Sequence, residues 1–212
     1  VGNVHRFCSK FLFEQGRIPA DSAIIDDEEA VSIIADYRNE DEEGVTRDFN
    51  RYKGYQTIIF FQHFIYQMEH RHPWKYYLHP ESFTDDDREA IRHICKSQKK
   101  EYDEQAVVDI YHHAQEYMDE ANAPGLDGKT ADRIRVLLWK MYYANCYARY
   151  KEENHLFDFE DLLLYTYDIY RSDSTCKRYP WIQVDEVQDL NGMQLAIIDL
   201  LTAEYNPMVM YL

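Results

Sequence analysis

Two adjacent carboxylates follow a short apolar run near the end of this 212-residue chain. Asp185 and Glu186 come directly after the β-prone run at residues 181–184, and ligands of open α/β sheets bind at the carboxyl ends of the strands. In nucleoside triphosphatases such a pair divides the chemistry: the Asp holds Mg²⁺ on the phosphates, and the Glu orients or deprotonates the attacking water. The pair alone is weak evidence, and it is strengthened by the polar residues that follow, Gln188, Asp189, Asn191 and Gln194.

The segment around these carboxylates also matches a family pattern. Residues 184–191 (VDEVQDLN), with Gln194 beyond them, resemble motif II of superfamily 1 DNA helicases of the UvrD/Rep/PcrA type, written DExQD-x-N-x-x-Q. Residues 157–163 (FDFEDLL) look like the DFxDLL segment upstream of motif II, and residues 2–8 (GNVHRFC) look like the T-F-H-S-F segment, motif Ib. Three collinear matches argue against coincidence. The competing interpretation is a charged strand end beside an ordinary capped helix.

The resemblance implies a mainly α fold, in which a helical subdomain is inserted into a partial α/β RecA-like (P-loop) domain. Residues 1–22 would be part of the RecA-like domain 1A, residues 23–178 the helical subdomain 1B, and residues 179–212 the return into domain 1A. The longer protein would be a cytoplasmic, ATP-dependent DNA helicase or translocase that acts on single-stranded DNA and uses ATP and Mg²⁺. The chain, which begins with Val, looks like an internal piece of it.

The resemblance also implies roles for individual residues. Asp185 would bind Mg²⁺, Glu186 would be the catalytic base, and Gln188 and Asp189 would connect motif II to neighbouring motifs. The implied groups are catalytic Glu186 and Gln188, cofactor-binding Asp185 and Asp189, and nucleic-acid-binding Asn3, His5 and Arg6. Asn3 stands where these helicases usually carry Thr, and Arg6 where they often carry Ser.

The spacing of apolar residues predicts the helices that must position these groups. It indicates helices over residues 56–69, 103–121 and 130–153. Thr84, followed by three Asp residues, predicts another helix start. Asp158 predicts one more, because Asp161 lies at the N3 position of a capping box.

The last residues have a different pattern. Two β-prone runs, at 181–184 and 207–212, flank a helical pattern at 193–201. Strand, helix, strand predicts a parallel pair with a crossover helix. Such a sheet fragment is expected to expose apolar edges, so we expect the chain to self-associate.

Residues 123–130 (APGLDGKT) fit a loose phosphate-loop pattern in which Ala replaces the first Gly. A phosphate loop must follow a buried strand, whereas an acidic helical pattern precedes this one. We therefore predict a turn between helices here, with Thr130 as the cap of the next helix. In the helicases of the resemblance, the phosphate loop lies upstream of motif Ib. The chain alone is accordingly expected to lack ATPase activity.

Charge and composition set further bounds. The net charge is −16, and it lies in two stretches, residues 21–43 and 101–122, while the remainder is balanced. We expect solvated acidic faces and weak, salt-sensitive DNA binding through motif Ib. No apolar run is long enough for a bilayer, so no membrane is expected. The four cysteines are too widely spaced for a zinc knuckle, which predicts free thiols in a reducing compartment. The nine histidines form no zinc pattern.

One interpretation from a different functional class, in which the protein is not an enzyme, stays open. A non-catalytic helical interaction module that descends from a helicase could retain the same carboxylate-bearing strand. A phosphate loop upstream and a G-D-x-x-Q-x-I-Y segment downstream would distinguish a helicase from such a module.

Overall fold

The computed structural model describes residues 3–204 and 207–211, with Tyr211 described by its backbone alone. The described chain is mainly helical. Its α-helices are α1 Val4–Glu14, α2 Asp27–Tyr37, α3 Glu42–Arg47, α4 Phe49–Glu69, α5 Asp85–Ser97, α6 Glu104–His112, α7 Gly128–Glu153, α8 Phe159–Ser172 and α9 Gly192–Leu201. Its strands are β1 Ala23–Ile24, β2 Leu156–Phe157, β3 Trp181–Val184 and β4 Met208–Tyr211. Short 3-10 helices cover Trp74–Tyr76, Pro80–Ser82, Met118–Asn122 and Val187–Asp189.

The chain divides into two compact units. The first unit is built from Val1–Ile24, Pro73–Leu78 and Phe157–Leu212, and the second from Ile25–His72 and His79–Leu156. Among the described helices, none has both the length and the apolar character that crossing a bilayer requires. The assignment of residues 1–22, 23–178 and 179–212 to domains 1A and 1B stays a prediction.

The second unit is a bundle around α4 and α7, which pack on each other; α2, α5 and α6 pack on α7. The apolar residues that predicted α7 recur every three or four positions, and Ile134, Leu137 and Leu138 are fully buried. Burying one such side chain contributes about 1.5–3 kcal/mol. Helix α4 begins at Phe49, well before the predicted residue 56, because the Asp48 side chain caps it. Apolar contacts between its helices are therefore the main interactions that stabilise this bundle.

A buried ion pair joins α5 to α7 inside the second unit. The Lys140 ammonium donates to the Asp87 carboxylate and, at 2.8 Å, to the carbonyl oxygen of Ser82. It also lies 4.6 Å from the centroid of the Phe61 ring. Burial lowers the pKa of Lys140, and the Asp87 carboxylate opposes that shift. The pair therefore depends on both partners, since either charge alone would be buried without compensation.

The predicted start of α5 is confirmed, whereas the predicted cap of α7 is wrong. Thr84 caps α5 in a capping box with Asp87. Helix α7 begins at Gly128, and its cap is Asp127, whose carboxylate accepts from the Thr130 backbone N–H at 3.0 Å and the Thr130 hydroxyl at 2.7 Å. Thr130 is thus a donor to the cap, because the carboxylate three residues earlier is the better acceptor.

The continuous helix predicted over residues 103–121 is also wrong. Helix α6 ends at His112, and a separate 3-10 helix covers Met118–Asn122. The Asp109 carboxylate accepts from the Tyr117 hydroxyl at 3.0 Å and from the Lys100 ammonium at 2.7 Å. The helix therefore ends close to this polar cluster, although the apolar stripe continues.

The first unit packs α1 on α8 and α8 on α9. Strands β3 and β4 are parallel, with Trp181 opposite Met208 and Val184 opposite Tyr211, and α9 connects them. The predicted strand, helix, strand unit is therefore confirmed. One face of the pair exposes Trp181, Met208 and Met210, while Val184 on the other face is buried. This exposed apolar face supports the predicted self-association, which itself stays a prediction.

The cysteines, all within the described part of the chain, are buried free thiols.

Candidate functional site

The two adjacent carboxylates lie at the carboxyl end of β3, as the sequence predicts. Asp185 and Glu186 are both exposed to solvent, directly after the buried Val184. Glu186 has a φ of 53°, in the left-handed region that side-chain-bearing residues rarely adopt. The Asp185 carboxylate accepts from the Glu186 backbone N–H at 3.0 Å. The chain thus turns sharply after the strand, and both carboxylates are accessible at its end.

A single 3-10 turn then connects Glu186 to Gln188 and Asp189. The Asp189 backbone N–H donates to the Glu186 carbonyl oxygen at 3.0 Å. The Gln188 side-chain amide donates to the Glu186 carboxylate. Gln188 and Asp189 are exposed as well. The structure therefore brings Asp185, Glu186 and Gln188 together through direct contacts, and places Asp189 on the same turn.

The remaining polar residues of the motif have a structural role. Asn191 is the N-cap of α9, and its side-chain oxygen accepts from the Gln194 backbone N–H at 2.9 Å. The Gln194 side chain accepts in turn from the Asn191 backbone N–H at 3.0 Å. This capping box fixes the start of the helix behind the carboxylates. The Asn and Gln of the motif therefore position the segment.

The DFxDLL segment has the same kind of role. Asp158 caps α8, and its carboxylate accepts from the Asp161 backbone N–H at 2.9 Å; the Asp161 carboxylate accepts from the Asp158 backbone N–H at 2.9 Å. Leu162 and Leu163 are buried. The capping box predicted from the spacing of the two acids is confirmed. It starts the helix against which α1 packs.

The predicted nucleic-acid contacts lie at the start of α1. Asn3 caps this helix, and its side-chain oxygen accepts from the Arg6 backbone N–H at 2.8 Å. Arg6 is exposed. His5 packs its ring edge-on against Phe159, with the centroids 5.9 Å apart. Burial lowers the pKa of His5, and the Glu160 carboxylate opposes the shift.

A groove of about 530 Å³ runs along α1. Its lining residues are Asn3, Arg6, Phe7, Lys10, Phe11, Glu14, Gln15, Tyr170 and Tyr179. Asn3 and Arg6 thus face one groove, whereas His5 is not part of its lining. The Lys177 ammonium lies 5.1 Å from the Tyr179 ring centroid. Cations beside aromatic rings suit a backbone phosphate with a stacked base.

Lys10 and Tyr179 are among the groove residues that the sequence did not reveal. Lys10 lies four residues after Arg6 and therefore on the same helix face, a spacing that could have revealed it. Tyr179 comes from a loop before β3, and no local pattern connects it to α1. The groove therefore also includes residues outside motif Ib.

The loop at residues 123–130 is not a phosphate cradle. It follows the 3-10 helix Met118–Asn122 instead of a strand, as predicted. Hydrogen bonds from Thr130 lower the pKa of the Asp127 carboxyl, which occupies the start of α7. A carboxylate at this position would repel phosphate.

Comparisons with known proteins agree with this interpretation of the motifs. The family model described as the UvrD/REP helicase N-terminal domain matches residues 1–211. A protein named "Probable DNA helicase II homolog", from Mycoplasma capricolum subsp. capricolum, is 23% identical over 124 residues. This match covers 56% of the chain and 16% of the Mycoplasma protein. No solved structure matches the chain. The match along nearly the whole chain shows that it belongs to the family of UvrD/REP helicase N-terminal domains.

Proposed function

We propose that this chain is part of an ATP-dependent DNA helicase or translocase that acts on single-stranded DNA. Membership of the UvrD/REP family makes the function helicase-related. The observation that carries the finer proposal is the pair Asp185 and Glu186, exposed at the carboxyl end of a parallel strand. Nucleotides bind at this edge of α/β sheets.

The residues at this edge fit Mg²⁺ and ATP. Mg²⁺ takes oxygen ligands, keeps several waters, and is usually held by one or two carboxylates together with substrate phosphates. Asp185 offers such a carboxylate, and it is exposed, so water and phosphate can reach it. The metal ion would neutralise charge on the phosphates. Asp189, on the following turn, is a second candidate for cofactor binding.

Glu186 would accept a proton from the attacking water. Its left-handed backbone conformation directs it out of the strand, and the Gln188 amide donates to its carboxylate. In this proposal Gln188 is a positioning residue that restricts the rotamers of Glu186. Positioning matters because a general base must lie within hydrogen-bond reach of the proton that it removes.

Single-stranded DNA would bind along α1. Arg6 and Lys10 supply positive charge there, Asn3 an amide, and Phe7 and Tyr179 aromatic surface. His5, outside the groove lining, would act by packing on Phe159 rather than by a direct contact. Because the whole chain has a net charge of −16, this affinity should be local and sensitive to salt.

The β3–α9–β4 unit and α1 would belong to a RecA-like domain 1A, and residues 23–178, which include the whole helical second unit, to subdomain 1B. The parallel register of β3 and β4 with a crossover helix supports this arrangement. In the proposed division, residues 1–22 and 179–212 flank the subdomain at residues 23–178.

The proposal is tested by two substitutions in the whole protein. In Glu186→Gln the amide cannot accept a proton, so single-turnover ATP hydrolysis on single-stranded DNA should fall about 10² to 10⁴-fold while nucleotide affinity changes little. Asp185→Ala should weaken Mg²⁺-dependent nucleotide binding as well as hydrolysis, because the metal loses its protein ligand.

Glu204→Gln provides the matched control, since Glu204 is another exposed carboxylate of the first unit. It should leave both measurements unchanged. Hydrolysis by Glu186→Gln at the wild-type rate would contradict the proposed catalysis and favour the non-catalytic interaction module.

A further inference from the structure

The segment Pro73–Leu78 of the first unit presents an aromatic and cationic surface. Trp74 has a large, mostly apolar side chain that would normally be buried, yet the residue is 58% exposed to solvent. Its ring lies 4.8 Å from that of Tyr77, at an angle of 36°. The Lys75 ammonium is 4.7 Å from the Tyr76 ring centroid. Residues 70–79 contain no Asp or Glu, in a chain whose net charge is −16.

The backbone holds this surface in one place. The Tyr76 N–H donates to the Pro73 carbonyl oxygen at 2.9 Å, and the Tyr77 N–H donates to the Trp74 carbonyl oxygen at 3.0 Å. On its inner side, the Tyr76 ring packs edge-on against Tyr167 with the centroids 6.0 Å apart. The segment is therefore an ordered turn, anchored through Tyr76.

The same turn lies directly against the start of α9. A Cβ atom at Gly192 would be only 2.7 Å from the carbonyl oxygen of Lys75, so the absence of a side chain at Gly192 lets the two backbones touch. Gly192 follows Asn191, the last residue of the motif II segment. The aromatic surface is thus in backbone contact with the helix that motif II begins.

The chemistry of this surface favours a single strand of nucleic acid. Exposed aromatic rings stack on unpaired bases of any sequence, and a neighbouring cation pairs with phosphate. Lys75 is exposed and therefore charged at neutral pH, and a hydrogen bond with the Tyr76 side chain raises its pKa further. The Asp199 carboxylate on α9 also interacts with Lys75.

We propose that Trp74, Lys75 and Tyr77 bind single-stranded nucleic acid beside the start of α9, with Trp74 stacking on a base and Lys75 pairing with phosphate. The inference rests on the proposed function, since it adds a contact for the same strand. It also provides a direct physical link between a bound strand and the motif II segment.

The test is a titration of fluorescein-labelled oligo(dT) with the whole protein, followed by anisotropy. Trp74→Ala should weaken binding about tenfold, which is the usual scale for losing one stacked base. Trp74→Phe should keep most of the affinity. Lys75→Met should weaken binding and reduce the dependence of affinity on salt by about one phosphate contact.

The second unit offers a matched control pair. Phe49 is 68% exposed, and the Lys53 ammonium lies 4.7 Å from its ring centroid. Phe49→Ala and Lys53→Met should therefore leave oligo(dT) binding unchanged. If the control and test variants lost the same affinity for oligo(dT), the proposal would be overturned. The loss would then result from any removal of exposed charge or aromatic surface, wherever it lies on the protein.

A second measurement uses tryptophan emission from the 212-residue chain at low salt. With Trp139→Phe and Trp181→Phe, Trp74 is the sole tryptophan, and oligo(dT) should quench it. With Trp74→Phe and Trp181→Phe, the remaining Trp139 of the second unit is 44% exposed and should not respond. This pair of variants compares two exposed reporters, one inside and one outside the unit that carries the proposed DNA contacts.

The outcomes separate the two proposals. A whole protein that fails to bind oligo(dT) contradicts the proposed function. A protein that binds oligo(dT) with no change in Trp74→Ala, and without quenching of Trp74, contradicts the present inference alone. Loss of a bound protein partner in Trp74→Ala, with DNA affinity intact, would likewise overturn it and show that the surface binds protein.

Discussion

Glu186 combines a proposed catalytic role with an unfavourable backbone conformation. Its φ of 53° places a side-chain-bearing residue in the left-handed region. Such a conformation costs about 1–2 kcal/mol for residues other than Gly. Residues held this way concentrate at functional sites, because the surrounding structure fixes them there. The strained position therefore agrees with a role in chemistry.

We expect Glu186→Gly to be more stable than Glu186→Ala by about 1 kcal/mol, since Gly adopts the left-handed region without steric cost. Neither variant should hydrolyse ATP in the whole protein. The free energy of unfolding in urea measures the difference. At Gln188, in the right-handed 3-10 turn, the order should be reversed, with Gly the less stable. A Glu186→Ala variant at least as stable as Glu186→Gly would show that the backbone of Glu186 is not strained.

The sequence predicts some of the site residues better than others. Asp185 and Glu186 follow from the apolar run before them, whereas Asn191 and Gln194 are identified only as part of the motif and not as a capping box. The packing of His5 on Phe159 could not be predicted in the same way. That contact depends on how α1 meets α8, two elements that are far apart in the sequence.

At the scale of elements, the close contact between α9 and the Lys75 backbone depends on the absence of a side chain at position 192. Gly192→Ala should therefore lower the free energy of unfolding by about 1–3 kcal/mol, because the new methyl group meets a backbone carbonyl that cannot rotate away. Chemical denaturation of the purified chain measures this loss.

Gly54 is the control for that substitution. It lies inside α4, and a methyl group added there would have no neighbour within 4 Å, so Gly54→Ala should raise stability by up to about 1 kcal/mol. The two substitutions should thus have opposite signs. A neutral result at position 192 would mean that α9 and the turn at residues 73–78 separate at little cost.

Helix existence is predicted well by apolar periodicity, and helix ends are predicted less well. The ends of α6 and α7 depend on particular polar groups. Asp127 and not Thr130 is the cap of α7, and α6 ends close to the cluster of Asp109, Lys100 and Tyr117. Lys100 lies outside α6, so a pattern taken along that helix alone cannot include it.

At the scale of the whole chain, we expect the 212 residues alone not to hydrolyse ATP. The loop at residues 123–130 follows a 3-10 helix, and Asp127 occupies the helix start where a phosphate would bind. A phosphate-release assay with single-stranded DNA present checks this expectation. Steady turnover that is lost in Lys129→Ala would contradict it and identify that loop as a nucleotide site.

The division of the chain between the two units also determines when the residues of each unit become available for folding during synthesis. The second unit is complete once residue 156 has left the ribosome, whereas the first unit needs residues 157–212 as well. Until α8 emerges, the nascent α1 lacks the helix against which it packs its apolar side, which includes Cys8, Phe11 and Leu12. Closing such a long loop is entropically costly and slow. We therefore expect the helical unit to fold before the first unit.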